Sequence, residues 1–223
     1  MTQRSFDYHS SASYAADDWI TTPSNAEAHG LVMTPPSELS SPLLAIYGGE
    51  GVGKTHLAHI WEAQVGAQFI SADALTSHDS ASLLQEGNYF VFEDVDKLTS
   101  LEQQTALFHL LNEIKLTKKM LLITAPCHPT KLTIALPDLA SRLAGFTAIG
   151  IDMPDELLLE ALIMKQFSDK QLKVSSDVVN YMLSRSARSC AAIIELVGKI
   201  DALALTQKRN ITVPFVRECL LIS

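Results

Sequence analysis

Cysteine is scarce in this sequence: Cys127, Cys190 and Cys219 are the only three in 223 residues. They are an odd number, far apart, with no CxxC pair and no Cys/His cluster. That pattern excludes a disulfide-stapled secreted scaffold and a structural zinc site of ordinary spacing. Each thiol reads as a small buried hydrophobe. Long apolar runs are also missing. No stretch reaches the roughly 18 residues of a membrane span, and the polar opening segment has no apolar core of a signal peptide. A soluble, reducing, cytoplasmic setting is the expectation. Basic charge is in deficit, with 17 Lys and Arg against 25 Asp and Glu and a formal net charge of −8. Duplex binding usually rests on a net basic face, so autonomous, sequence-specific DNA binding is not expected. Partners should be proteins, or a small anion gripped locally. What is abundant is ordinary globular material, 47% apolar and 19% charged, enough for a core that needs no staple.

The chain divides into three stretches. Residues 1–16 are polar and Ser-rich, and are expected to be mobile. In residues 17–152, short apolar runs bounded by turn residues read as strands: 43–47, 68–70, 89–92, 120–124 and 146–151. Between them lie helical patterns, with Leu57, Ile60, Trp61 and Gln64 on one face and Leu107, Leu110, Leu111 and Ile114 on another. Alternating strands and helices imply an α/β unit, a parallel five-stranded sheet with helices on both faces. Residues 153–223 lose the strand signal. Helices are expected over 155–169, with an acidic first turn and Leu158, Ala161 and Leu162 in a stripe, over 176–185, over 189–207 with Ile193, Val197, Ile200 and Ala204 in register, and from Pro214 onward. This is a small all-helical second domain.

The strongest motif is Gly48-Gly49-Glu50-Gly51-Val52-Gly53-Lys54-Thr55. It fits GxxxxGK[ST] and sits between a predicted strand and a predicted helix, the context of a P-loop. Glycines let successive backbone N–H groups converge on phosphate oxygens, and the following helix adds its positive dipole end. Lys54 would reach the terminal phosphates and the Thr55 hydroxyl would ligate Mg²⁺. A second strand ends in Glu93-Asp94, carboxylates placed to hold the Mg²⁺ shell and orient water. The first of the pair is Glu93 where aspartate is usual. Its extra methylene displaces the carboxylate in a site where Mg²⁺ demands tight geometry, so nucleotide binding with weak hydrolysis is expected. Two arginines complete the constellation: Arg142 at a helix end before the last strand, expected at the sheet's edge, and Arg188 where the longest helix of the second domain begins. Guanidinium, always charged and capable of bidentate contact, suits the charge developing on a γ-phosphate. One could act in cis and the other in trans.

In this order the motifs resemble the AAA+ ATPases of the DnaA initiator clade. The segment from Trp19 to Ala28 is similar to the clade's FVxGxxNxxA stretch, with Thr22 in place of its glycine. The strings GKTHLAHIW, LPDLASRL and DKQLKV resemble the Hda-type regulators of that clade in their alphaproteobacterial form. The resemblance runs from about Asp17 to Ser223. It implies a nucleotide site for ADP or ATP with Mg²⁺ formed by Trp19, Ile20, Asn25, the loop from Gly48 to Thr55, His56 and Arg188. It places Glu93 and Asp94 at the Walker B pair, Thr124 and Ala125 at the sensor-one strand end, Arg142 at the arginine-finger position and Arg188 at the sensor-two position. It also implies two partners. One is the DnaA initiator, whose ATP hydrolysis Arg142 would promote in trans. The other is the DNA polymerase sliding clamp, engaged by Gln3, Phe6 and Tyr8 in a segment similar to QLxLxF. The sequence stops at Ser223, just past the lid, where initiators of the clade continue into a DNA-binding domain, so a regulator is expected. A helicase-loader-type or adaptor AAA+ protein, and a self-assembling ATPase forming homo-oligomers, remain the alternatives.

Overall fold

In a computed structural model, which describes residues 14–221, the strands are β1 (Leu43–Tyr47), β2 (Gln68–Phe69), β3 (Tyr89–Phe92), β4 (Met120–Ala125) and β5 (Thr147–Gly150). All pair in parallel in the order β2-β3-β4-β1-β5. Strand alternation explains the two covered faces. Ala45, Phe90, Phe92, Leu121 and Ile123 point to one layer, which contains α3 (Ala72–Ser77), α4 (Ser80–Leu83), α5 (Leu101–Thr117) and α6 (Pro137–Ala144). Leu44, Ile46, Val91 and Leu122 point to the other, against α1 (Ala26–Met33) and α2 (Lys54–Val65). Because both faces are buried, the strands read as unbroken apolar runs rather than polar-apolar alternations.

Helix starts follow local chemistry. Ser100 caps α5 through a capping box: its Oγ accepts from the Gln103 N–H, and the Gln103 side chain accepts from the Ser100 N–H. Gly66, left-handed at φ 69°, ends α2. The buried face of α2 is Leu57, Ala58, Ile60 and Trp61. The expected fourth member, Gln64, is exposed, and its side-chain amide donates to the Met33 carbonyl of α1. Helices α1, α3 and α4 carry too short a pattern to stand out in sequence.

The second unit is built from α7 (Glu156–Asp169), α8 (Ser176–Arg185), α9 (Cys190–Gln207) and α10 (Val213–Leu221). Its core is separate: Leu159, Ile163, Phe167, Val179, Ile193, Val197, Ile200 and Phe215 are among its buried members. The α7 stripe is therefore wider than Leu158, Ala161 and Leu162, since Ala161 is only half-buried while Leu159, Ile163 and Phe167 are buried.

Asp155 sits at the hinge between the two units. Its carboxylate caps α7 by accepting from the Leu158 N–H at 2.7 Å. That bond, followed by bonds to Thr22 and Ser24, holds its carboxyl below the usual carboxylate range. A lowered native pKa means the carboxylate stabilises the fold above the unfolded value of about 4 and loses that effect as pH falls through the native value. Asp155→Ala should therefore cost about 1 kcal/mol at pH 7, the usual worth of an N-cap, in urea denaturation. The gap between variant and parent should close as the pH is taken below about 4.

Candidate nucleotide site

The carboxyl ends of β1, β3 and β4 converge beneath the second, helical unit. The loop after β1 turns through two left-handed glycines, Gly51 at φ +70° and Gly53 at φ +108°. Neither could carry a side chain for a further reason. A Cβ on Gly51 would lie 2.2 Å from Ser189 Oγ, and one on Gly53 would lie 3.0 Å from the Trp19 ring. Such a loop turns backbone N–H groups into one concavity. Lys54, the first residue of α2, folds its ammonium back over the loop and donates to the carbonyls of Gly48 and Gly49 at 2.9 and 2.8 Å. Those neutral acceptors are what phosphate oxygens would replace.

Next along α2, the Thr55 hydroxyl donates to Glu93 Oε1 at 2.7 Å. β4 lies between β1 and β3 in the sheet, so this bond joins the ends of two strands that are not neighbours. Thr55 and Glu93 are thus already paired where a hydroxyl and a carboxylate would hold Mg²⁺ beside a polyphosphate. Asp94 is turned differently. Its backbone is left-handed at φ 51°, and its N–H donates to the buried Thr124 hydroxyl at 2.9 Å. Its carboxylate pairs with Lys97 at 2.7 Å. The hydrogen bond from Lys97 to Asp94, reinforced by the surrounding carboxylates, raises the Lys97 ammonium above its ordinary value.

A cleft of about 750 Å³ opens between loop, N-terminal segment and lid. It gathers Trp19, Ile20, Asn25, Glu50, Gly51, Val52, Gly53, Lys54, Thr55, His56 and Asp94 from the expected set. Trp19 covers the loop end, stacked on His29 (centroids 5.8 Å) and meeting His56 edge-on at 5.2 Å. Burial lowers the His29 pKa, which favours the neutral ring. His56 Nε2 lies 3.0 Å from the Ala15 carbonyl oxygen, so that nitrogen carries a proton. Asn25 is buried and shapes the segment from within, its amide donating to the Ile20 carbonyl and accepting from the Thr22 N–H, both at 2.9 Å. Thr22 is not among the residues of positive φ, so it occupies the glycine position without strain and supplies a hydroxyl to Asp155.

Several lining groups were not anticipated from the sequence. Tyr14 and Ala15 fall in the segment expected to be mobile, yet Tyr14 stacks on His59 at 4.4 Å and Ala15 bonds to His56. The lid contributes Leu158, Leu162, Cys190, Ala191, Ile194 and Glu195. It is drawn onto the base by the Cys190 N–H, which donates to the Gly51 carbonyl at 3.1 Å. Lys165, shared between Asp18 at 2.6 Å and Asp169 at 2.7 Å, makes a second tie. Burial pushes the Cys190 thiol up to about 11, so it is no thiolate at neutral pH. Of the three cysteines expected to be buried, only Cys219 is, while Cys127 and Cys190 are half-buried.

Both arginines lie off the cleft. Arg142, on α6, donates through Nη2 to Asn112 Oδ1 on α5 at 2.9 Å. Arg188 is exposed and lines a separate lid depression with Glu156, Leu159 and Asn180. It is the neighbouring Ser189 that meets the phosphate loop. Gln3, Phe6 and Tyr8 lie outside the described residues. Among the described residues no helix is long and apolar enough to cross a membrane.

Comparison with known proteins agrees with this architecture. Residues 155–220 match the family model described as Hda, lid domain. An uncharacterized protein of Haemophilus influenzae is 28% identical over 194 residues, 82% of this chain and 84% of that one. The chromosomal replication initiator protein DnaA of Leifsonia xyli is 23% identical over 239 residues, 97% of this chain and 50% of that one. The chain therefore spans about half the length of the DnaA relatives it matches. Domain III of the Thermotoga maritima initiator DnaA superposes with a TM-score of 0.82 at 20% identity, covering 93% of this chain and 95% of that one. AMPPCP-bound DnaA from Aquifex aeolicus does so with a TM-score of 0.70 at 24% identity, covering 86% and 65%. The fold is that of DnaA domain III, a P-loop base followed by a helical lid.

The two left-handed glycines, the Lys54 ammonium and the Thr55–Glu93 pair fit a magnesium-bound polyphosphate. Lys54→Ala removes a charged donor and, at roughly 1.5–3 kcal/mol for each hydrogen bond to a charged group, should weaken Mg·ADP binding at least tenfold in isothermal titration. The thermal midpoint without nucleotide should stay within a few degrees of the parent.

Proposed function

We propose that this chain, whose residues 155–220 match the Hda lid model and whose fold is that of DnaA domain III, is an Hda-type protein of the DnaA clade and a regulator of replication initiation. It binds ADP or ATP with Mg²⁺ and, together with the sliding clamp, promotes ATP hydrolysis by the DnaA initiator. The observation that carries this reading is a separation. The cleft holds the phosphate loop with Lys54 and Thr55, while Arg142 is not among its lining residues and is held by Asn112 on the neighbouring helix. A guanidinium so placed is of no use to the nucleotide of its own chain and is available to one held by a partner.

Each residue then has a task. The loop glycines and Lys54 bind the phosphates, Thr55 and Glu93 hold Mg²⁺, and Trp19 and Ile20 flank the base end of the cleft. Mg²⁺ supplies charge neutralisation on the phosphate oxygens. Intrinsic turnover is slow because Glu93 stands where aspartate is usual, in a site where Mg²⁺ demands tight geometry. The bound nucleotide acts as a conformational ligand. By bridging the loop and the lid, which already meet at Gly51 and Cys190, it favours one relative setting of the two units. Gln3, Phe6 and Tyr8 serve as the clamp-binding peptide, an extended segment seating two aromatics in an apolar cleft. A cytoplasmic location belongs with these partners.

An arginine supplied in trans is worth roughly 10³- to 10⁵-fold in rate. In a reaction of DnaA·ATP, clamp on DNA and this protein, Arg142→Ala should lose nearly all stimulation of phosphate release while its own affinity for ADP is unchanged. Stimulation that survives the substitution would refute the finger role. Changing Gln3 and Phe6 together to Ala should abolish clamp capture and leave nucleotide binding intact, as measured by surface plasmon resonance.

A further inference from the structure

Two histidines one turn apart on α2 hold the segment 14–20 against the base. Tyr14 stacks on His59 with ring centroids 4.4 Å apart and meets His56 edge-on at 5.7 Å. His56 Nε2 donates to the Ala15 carbonyl at 3.0 Å, and its ring meets Trp19 at 5.2 Å. Trp19 in turn lies over Gly53 of the phosphate loop. His59 is itself set by two neighbours, with Glu62 Oε2 2.8 Å from its Nδ1 and the Phe69 ring 4.6 Å away. On its other side the segment belongs to the lid, since Asp18 pairs with Lys165 and Ile20 packs against the lid core. Tyr14, Asp18, Trp19 and Ile20 line the nucleotide cleft, whereas His59 is not among its lining residues. One wall of the cleft is thus a strap of chain whose end is fastened by a residue outside the cleft.

We infer that the stack of Tyr14 on His59 fastens a gate for nucleotide exchange, the strap parting from α2 whenever a nucleotide enters or leaves. The inference rests on the proposed nucleotide binding and adds to it how that binding is timed. The fastening suits an opening device. Tyr14 is 41% exposed, and one aromatic stack with one neutral hydrogen bond is a modest hold. The closed setting also carries a cost. The Trp19 indole N–H is buried without a hydrogen-bond partner among the described residues, a penalty that water relieves once the strap lifts. Because the strap is tied to the lid through Asp18, its release frees the lid from one of its contacts with the base. His59 touches the strap and not the nucleotide, so loss of the stack raises the open population by the same factor in the empty and the filled protein. Entry and departure both pass through that open state, so the two rates rise together and their ratio is kept.

The test is stopped-flow exchange of a fluorescent diphosphate, Mg·mant-ADP, on the full chain, read by energy transfer from tryptophan. His59→Ala should raise the association and dissociation rate constants alike, by about threefold to tenfold, the worth of one aromatic pair, with Kd unchanged. His59→Phe, which keeps a ring for Tyr14 to stack on, should return both rates close to those of the parent. Tyr14→Ala, at the other half of the stack, should also raise both rates, and adding His59→Ala to it should change them no further, since the two residues act as one pair. Unchanged rates in His59→Ala, faster dissociation alone with a weaker Kd, or an equal acceleration in His59→Phe would each overturn the gate while leaving the nucleotide site standing. Failure of the unaltered chain to bind mant-ADP, and unlabelled Mg·ADP by calorimetry, would overturn the nucleotide site and the gate with it.

Discussion

An acidic protein can grip a polyanion only where the attraction is local and preorganised. With a formal net charge of −8, this chain has no long-range field to draw phosphate in, and the walls of its cleft are themselves acidic. The concavity turned by Gly51 and Gly53, the single ammonium of Lys54 and the dipole of α2 must supply the attraction at contact distance. The rest of the site is arranged around that constraint. Trp19 presses on Gly53, Ser189 presses on Gly51, and the Cys190 N–H takes the Gly51 carbonyl. Substituting either glycine would strain the loop and also dislodge a neighbour.

The lid is therefore a wall of the site as well as a separate helical unit. Its own core is independent of the sheet, yet among the described residues these three polar ties bind it to the base: Cys190 to Gly51, Lys165 to Asp18, and Asp155 to Thr22 and Ser24. Two of the three end in the stretch from Asp18 to Ser24, and Ile20 from that stretch packs against the lid core. The segment before α1 thus lines the cleft and ties base to lid, so a ligand that changes its setting is felt in both units.

Much of this was legible from residue order. The apolar runs at β1, β3 and β4 gave strands at the expected places because burial on both faces demands unbroken apolar sequence. The boundaries of α8 matched, since Ser175 and Ser186 flank a short amphipathic stretch. The phosphate loop was legible because its glycines and lysine are required by backbone geometry. What escaped was what depends on approach across the fold. Tyr14 gains its place only because α2 offers His59. Gln64 leaves the expected buried face because the Met33 carbonyl lies within its reach. Lys97 looks like any surface lysine until the turn after β3 brings it to Asp94.

By itself the sequence determined the kinds of chemistry available: a loop that must be glycine, an ammonium and a hydroxyl side by side, a carboxylate pair after a strand, and a helical unit downstream. These follow from local rules of backbone freedom, periodicity and capping. Tertiary structure alone decided which of these groups share a cavity. The order β2-β3-β4-β1-β5 sets the end of β3, with Glu93, one strand away from β1, and the Glu93 and Thr55 side chains still meet. The packing of α6 on α5 carries Arg142 away from the cleft to Asn112. The docking of α9 brings Ser189, not Arg188, onto the loop. Spacing along a chain cannot specify such neighbours, because they are set by how whole elements pack.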